Sequence, residues 1–147
     1  MNKLKVVIPI VLILIGAGVI ILLLTGNKSA ETGFPRDFFS EGSNVEWLGI
    51  YLKGHKVGYM ASKIDTTENG YRVYSNTYMK MSPAAGFERE VSYRVVANTD
   101  RSYNLRDFYF RMLSGDHVFE AEGVRDDNRL MVEMDFGGEK RTKEYEL

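Results

Sequence analysis

The chain contains no cysteine at all and only two histidines, His55 and His117. The lack of cysteine excludes disulfide bridges, thiolate metal ligands and a cysteine nucleophile. The histidines do not occur in His-x-His or His-Glu-x-x-His spacing, and Lys56 beside His55 disfavours a metal cation. The sequence therefore predicts no metal site and no cofactor.

An excess of charge of one sign is also lacking. Nineteen Lys and Arg residues nearly balance twenty Asp and Glu residues, which gives a formal net charge of −1. The two signs are interspersed along the chain, without the basic stripe that nucleic acids or anionic lipids attract. We therefore expect no nucleic-acid partner.

Long apolar runs are absent except for one, from Val6 to Leu24, which contains no charged residue. As a helix it would span about 28 Å, close to the hydrocarbon thickness of a bilayer. We therefore predict a transmembrane signal-anchor over residues 1–26, in which Val6, Leu12, Gly16 and Leu24 lie in the membrane. Glycine is tolerated in such helices.

Cleavage of this segment as a secretory signal is the alternative. The apolar run is longer than the usual signal core of roughly 7–15 residues. Cleavage after Ala30 would place Lys28 three residues before the cut, where a small residue is needed. Lys3 and Lys5 precede the run, and Lys and Arg resist translocation. We expect a single-pass protein of a bacterial inner membrane, with a cytoplasmic N-terminus and a periplasmic or otherwise extracytoplasmic C-terminal domain.

Residues 27–45 are predicted to be a juxtamembrane tether, because they are rich in Gly, Ser and charge and have no period. The stretch from Phe34 to Phe39 contains three phenylalanines, which is unusual for a linker. Its phenylalanines either sit at the headgroup level of the membrane or dock onto the following domain, and we favour docking. Residues 46–147 then leave room for one domain.

This domain is predicted to be all-β. Apolar and polar residues alternate with period 2 in stretches separated by short Gly, Asn, Asp and Pro turns. The predicted strands are Trp47–Leu52, Val57–Thr66, Tyr71–Met81, Phe87–Thr99, Leu105–Ser114, His117–Arg125, Arg129–Phe136 and Glu139–Leu147. Short connections allow only neighbouring antiparallel pairing. The fold class is therefore an antiparallel up-and-down meander of about eight strands, a strongly curved half-barrel or barrel-like sheet, preceded by one N-terminal transmembrane helix.

Three details of the sheet follow from local signals. Asn69-Gly70 predicts a type I′ turn, and Gly58, Gly86 and Gly123 are expected bend or bulge points. The last strand has no apolar residue before Tyr145 on either side, which is typical of a charged edge strand. The alternation of residues in the other strands predicts that the sheet has one apolar and one charged face. An apolar face must curl, fold over or accept a partner.

The segment Ser114-Gly115-Asp116-His117 contains the residue types of a nucleophilic triad. A triad needs these groups to converge from separate elements, whereas adjacent residues at a hairpin point in divergent directions. We interpret the segment as a turn. A glycosidase-like carboxylate pair is an open alternative, because such pairs form in space rather than in sequence. The sequence therefore predicts a chain that is not an enzyme.

Methionine and aromatic residues on the predicted apolar face either fill an ordinary core or line a cavity suited to acyl chains. We favour a core and keep the cavity as an alternative. The candidate lining consists of Met79, Met81, Phe108, Phe110, Met112, Phe119 and Met134.

The segment Trp47 to Tyr59 has the pattern W-x-G-I-Y-x-x-G-x-x-x-G-Y. It resembles the opening hairpin in the β-rich N-terminal region of bacterial transglutaminase-like (cysteine protease-type) envelope proteins. The catalytic domain of that family needs Cys, His and Asp, so the resemblance implies only the non-catalytic front. More loosely, the meander resembles the curved sheets of periplasmic lipoprotein carriers, by fold analogy alone.

From these observations we expect a non-catalytic binding or interaction module that holds a partner protein, peptide or lipid at the membrane. The alternatives are a detached or truncated N-terminal domain of a transglutaminase-like enzyme, or a carrier of an apolar ligand. The sequence does not specify an oligomeric state.

Overall fold

The computed structural model describes residues 45–84 and 87–147. The predicted membrane-spanning segment and the tether up to residue 44 lie outside the described residues, as does Gly86. The described part contains eight β-strands: β1 (Val45–Leu52), β2 (His55–Thr67), β3 (Gly70–Ala84), β4 (Phe87–Asp100), β5 (Leu105–Ser114), β6 (His117–Asp126), β7 (Arg129–Asp135) and β8 (Lys140–Glu146). The all-β prediction is confirmed.

All eight strands form one antiparallel sheet in the order of the sequence, from β1 to β8. This arrangement is the predicted meander, and it follows from connections too short for any crossover. The two edge strands, β1 and β8, do not pair with each other in the described sheet. The described sheet is therefore open and does not close into a barrel, which the sequence pattern had left undecided.

Two turns differ from their predictions. The first hairpin turns on Lys53 and Gly54 alone, which both adopt positive φ, so that β2 already begins at His55. In the second hairpin Thr67 pairs with Gly70, and Asn69 does not adopt positive φ. The predicted Asn-Gly type I′ turn is therefore wrong. A Cβ atom at Gly70 would lie 1.9 Å from the backbone oxygen of Thr99, so close approach to β4 requires glycine there.

Cross-strand partners share a face of the sheet, and the register confirms one apolar and one charged face. On the side that we call the apolar face, one row joins Val95, Phe110, Ala121 and Met134. The opposite side, the polar face, carries Lys63, Arg72, Lys80, Glu90, Arg94, Asp107, Arg111, Glu120, Glu122, Glu133 and Asp135.

The core lies on the apolar face of β5, β6 and β7. Its buried members are Phe108, Phe110, Ala121, Leu130 and Val132, and its partly buried neighbours are Tyr93, Val95, Ala97, Leu105, Met112, Phe119 and Met134. Ring contacts run across it from Tyr93 through Phe110 and Phe119 to Phe136, with centroid distances of 6.2, 5.8 and 4.8 Å. Side chains of neighbouring strands therefore bury one another within a single layer.

Of the predicted bend or bulge points, Gly58 and Gly123 lie in the described part. The register shifts beside Gly58, where Ile50 pairs with Gly58 but Tyr51 pairs with Lys56. At Gly123 the register passes through without a shift, so no bulge forms there. A Cβ atom there would lie 2.1 Å from Cε1 of Phe108. Gly123 instead leaves room for a core ring.

The last strand, β8, is exposed along its whole length, which confirms the charged edge strand. On the apolar face, Arg141, Lys143 and Tyr145 lie opposite Met134, Val132 and Leu130. The Arg141 guanidinium lies 5.7 Å from the Phe136 ring centre. Long cationic side chains can cover apolar neighbours with their aliphatic stems while their charges remain in water.

We predict that Gly123→Ala lowers the free energy of unfolding by about 1–3 kcal/mol, because the new methyl group displaces the ring of Phe108 inside the core. Gly49→Ala is the matched control, since its Cβ would meet only the Tyr51 ring, which is mostly exposed and can move away. Chemical denaturation of both variants measures the difference. Equal stability of the two variants would contradict this role of Gly123.

Candidate functional site

The apolar face is covered unevenly. Beyond the core, its part on β1, β2 and β3 exposes Leu48 by 52% and Ile64 by 65%, and leaves Met60, Val73 and Met79 partly buried. We call these five residues the open half. Every substantial contact between strands in the described residues joins sequence neighbours, so no second layer from the described part covers the open half.

Small polar side chains lie among these apolar residues. Ser62 and Ser75 pair directly across β2 and β3, on the same face as Met60. Thr77, opposite Met60, is almost fully buried, and its hydroxyl has no hydrogen-bond partner. Such an unsatisfied hydroxyl typically costs about 1–3 kcal/mol. The open half is therefore an apolar surface with a polar strip, in contrast to the aromatic core.

The edge strand β1 is apolar on both faces. Leu48 and Leu52 share the apolar face, whereas Trp47 and Tyr51 share the polar face, and all four are more than half exposed. Glu46 is the only charged residue of the strand. Apolar residues on both faces are typical of strands buried inside a sheet. The exposed edge and the open half are continuous through Leu48.

On the polar face, three aromatic rings cross β1, β2 and β3. Trp47 lies 5.8 Å from Tyr59, and Tyr59 lies 5.6 Å from Tyr78, measured between ring centres. Burial raises the pKa of Tyr59, and burial followed by a hydrogen bond with Glu90 raises the pKa of Tyr78. Both phenols are therefore neutral at physiological pH, and neither is an activated nucleophile.

Further along the polar face, carboxylates are engaged by neighbouring donors. The Tyr109 hydroxyl donates a 2.9 Å hydrogen bond to Oε1 of Glu120, and Nε of Arg111 lies 3.3 Å from the same oxygen. Burial, and then this hydrogen bond, raise the pKa of Tyr109. Tyr109, Arg111 and Glu120 therefore link β5 to β6 at the surface. A surface ion pair of this kind contributes about 0–1 kcal/mol to the free energy of unfolding.

A polar pocket of about 680 Å³ lies where the hairpins β4–β5 and β6–β7 turn. Asp100, in its wall, accepts hydrogen bonds from the backbone N–H groups of Ser102 and Asn104, both 2.8 Å, and from Nδ2 of Asn104 at 2.6 Å. This loop holds Tyr103 at a φ of 61°, with its ring stacked on Tyr71 at 4.8 Å. The carboxylate of Asp100 therefore holds the loop in this conformation through hydrogen bonds.

The candidate lining residues fall into different environments. Phe108 and Phe110 are buried in the core, and Met112, Phe119 and Met134 pack against it. Met79 belongs to the open half, and the side chain of Met81 lies outside the described part. The most exposed members of the open half, Leu48 and Ile64, were not among the sequence candidates. The sequence does contain a signal that could have identified them. Leu48 and Ile50 in the first strand, and Met60 and Ile64 in the second, are spaced so that each pair lies on one face.

The Ser-Asp-His segment forms the β5–β6 turn, as expected. Ser114 and His117 nevertheless pair directly across it, so their side chains share a face rather than diverge. Ser114 is buried and His117 is exposed, and in the described structure no hydrogen bond joins Ser114, Asp116 and His117. Among residues 45–84 and 87–147, no group of three His, Asp or Glu side chains could hold a metal ion.

The same residues contain no helix that is long and apolar enough to cross a bilayer. The predicted anchor lies outside them, so it stays a prediction. Comparison with protein-family models, with curated proteins and with solved structures gives no match to this chain. Functional inference therefore depends on the geometry of the sheet itself.

We predict that Asp100→Ala lowers the thermal stability at neutral pH more than Asp116→Ala, a change at an exposed turn residue. Hydrogen bonds from Asn104 hold the pKa of Asp100 below its usual value of 3.8. A lowered pKa in the folded state stabilises above the unfolded value, and this contribution is lost as the pH falls through the folded value. The difference between the two variants should therefore shrink as the pH falls below 3.8 and vanish once the pH is below the lowered pKa of Asp100. A difference independent of pH would contradict this explanation.

Proposed function

We propose that this chain is a membrane-anchored, periplasm-facing, non-catalytic binding module that holds a partner protein on its open half. The single observation that carries this proposal is the exposure of Leu48 and Ile64 on the apolar face of an open sheet. Large apolar patches on a soluble domain typically mark a surface that another molecule covers, and here the apolar residues lie on both sides of the strip formed by Ser62 and Ser75.

The packing of the core supports a protein rather than a small guest. Phe108 and Phe110 are buried in the core, and the residues that pack against them are partly buried. The open half, in contrast, extends over three strands as far as the sheet edge at Leu48. A protein surface can cover such an area, and full burial of Leu48 or Ile64 would contribute on the order of 1–2 kcal/mol each.

A non-catalytic role is supported by how the titratable groups are used. The carboxylate of Asp100 accepts three hydrogen bonds inside its own loop, and Glu120 accepts one from Tyr109. Acid–base catalysis typically needs two groups whose environments move their pKa values apart at a shared cleft. The groups described above instead stabilise turns and the polar face.

The proposed location at the inner membrane is supported by the sequence of the N-terminal segment. The uncharged run from Val6 to Leu24, with Lys3 and Lys5 before it, supports a single membrane pass with the sheet outside the cytoplasm. An anchored module of this kind would keep its partner beside the inner membrane.

Two other candidates have specific observations in their favour. Met79, Met112 and Met134 are partly buried on the apolar face, and flexible methionines suit an acyl chain, as in a lipid carrier with a curved sheet. The W-x-G-I-Y-x-x-G-x-x-x-G-Y segment forms the β1–β2 hairpin, which supports a detached front domain of a transglutaminase-like enzyme. A reading frame for a Cys-His-Asp domain downstream of this gene would favour the latter.

Photo-crosslinking in intact cells tests the main proposal. We predict that Ile64→p-benzoylphenylalanine gives a discrete protein adduct, whereas Val124→p-benzoylphenylalanine gives at least ten-fold less. The two positions are a matched pair, since both are β-branched and exposed by 65% and 60%, and they lie on opposite faces. Mass spectrometry of the adduct identifies the partner.

The other outcomes are distinguishable. An adduct that contains only phospholipid would replace the proposal by the lipid-carrier candidate. An adduct of twice the chain mass of 16.8 kDa would indicate self-association. Equal crosslinking from both faces, or none from Ile64, would contradict a binding role for the open half.

A further inference from the structure

The two edges of the sheet have opposite chemistry. β8 has the sequence KRTKEYE, with five charged residues out of seven, whereas β1 has the sequence VEWLGIYL, with one charged residue out of eight. Both strands are largely exposed. Charged side chains on an edge oppose pairing with another sheet, and a long apolar edge favours it.

A strand added beside β1 would bring its side chains next to those of β1 on both faces of the sheet. The side chains of β1 are apolar on both faces, with Leu48 on one and Trp47 and Tyr51 on the other, all more than half exposed. On its outer side, alternate residues present backbone N–H and C=O groups that no described strand pairs. A further strand would satisfy those groups and cover these side chains.

We infer that β1 is a self-association edge, at which two copies of this chain pair antiparallel about a two-fold axis at Gly49. The eight strands of each copy then form one continuous sheet. This pairing sets Leu48 opposite Ile50 of the second copy, and Trp47 opposite Tyr51 of the second copy. Its central position is glycine in both copies, where only the exposed Tyr51 ring limits the space.

The sequence of β1 is self-complementary in this register, because its apolar residues meet apolar residues, and this favours a second copy as the occupant. In this register the single charged residue, Glu46, lies opposite Leu52 of the second copy, so no like charges meet. Pairing of β1 with β8 of another copy would instead use an edge with five charged residues out of seven, and charged side chains on an edge oppose such pairing. The association is therefore a closed pair and does not propagate into a filament.

A two-fold axis normal to the sheet keeps each face on its own side. The open halves of the two copies then join at Leu48 and form one larger apolar surface. The pairing requires no molecule on that surface, so this inference goes beyond the proposed function.

Disulfide crosslinking tests the register, because the chain contains no cysteine of its own. Directly opposed residues of antiparallel strands have Cα atoms about 4.5–5.5 Å apart, within the 4.4–6.8 Å that a disulfide needs. We expect Gly49→Cys in the full chain in native membranes to form a disulfide-linked dimer on mild oxidation. Lys143→Cys, at the middle of the β8 edge, is the matched control and should remain monomeric.

Analytical ultracentrifugation of the full chain in detergent micelles measures the affinity. Tyr51→Asp places a negative charge beside Trp47 of the second copy and should raise the dimer Kd at least ten-fold. Val124→Asp, a similarly exposed change on the same face but away from the edge, should leave it unchanged. Ile64→Lys should also leave the dimer intact, so failure of the proposed function and failure of this inference are separable.

Several results would overturn the inference. One is a chain that stays monomeric at about 100 μM, a concentration at which weak dimers with micromolar Kd are assembled. Another is Lys143→Cys that crosslinks as readily as Gly49→Cys. A monomer whose β1 amide protons are protected from hydrogen exchange would mean that another segment of the same chain covers the edge, which also contradicts self-pairing.

Discussion

Every second side chain of a strand points to the same side of its sheet, and a single open sheet has no other layer to cover that side. This constraint governs the whole described structure. Apolar residues of neighbouring strands pair with one another, as Val95, Phe110 and Ala121 do, so they accumulate on one face. A barrel would have enclosed that face, but β1 and β8 do not meet. The protein must therefore cover its apolar face by other means or leave part of it in water.

Side-chain size decides which part is covered. Over β5 to β7 the apolar face carries large rings, such as Phe108 and Phe110, and β8 adds the long side chains of Arg141 and Lys143. These groups are large enough to bury one another without a second layer. Over β2 and β3 the corresponding positions include Ser62 and Ser75, which are too short to do so. The apolar residues beside them consequently remain exposed.

Local patterns predicted the strands and their faces because period-2 alternation is a property of each strand alone. β5 begins and ends where predicted, at Leu105 and Ser114. The errors lie where distant atoms decide. Gly70 and Gly123 are glycines because of the Thr99 backbone and the Phe108 ring, which belong to other strands. Alternation likewise shows which face Ile64 occupies, but its exposure depends on which other elements cover that face, and sequence pattern does not contain this information.

Leu48 belongs both to the open half and to the exposed edge, and this overlap has a thermodynamic consequence. A molecule that covers the open half contacts the side chain that a neighbouring strand would also contact. Occupancy of one surface therefore changes the free energy of occupying the other, and by linkage the effect is reciprocal. A partner large enough to span two copies would favour pairing at β1, whereas one that ends at Leu48 and blocks the edge would oppose it. With both proposals in place, the two surfaces would act as one coupled site.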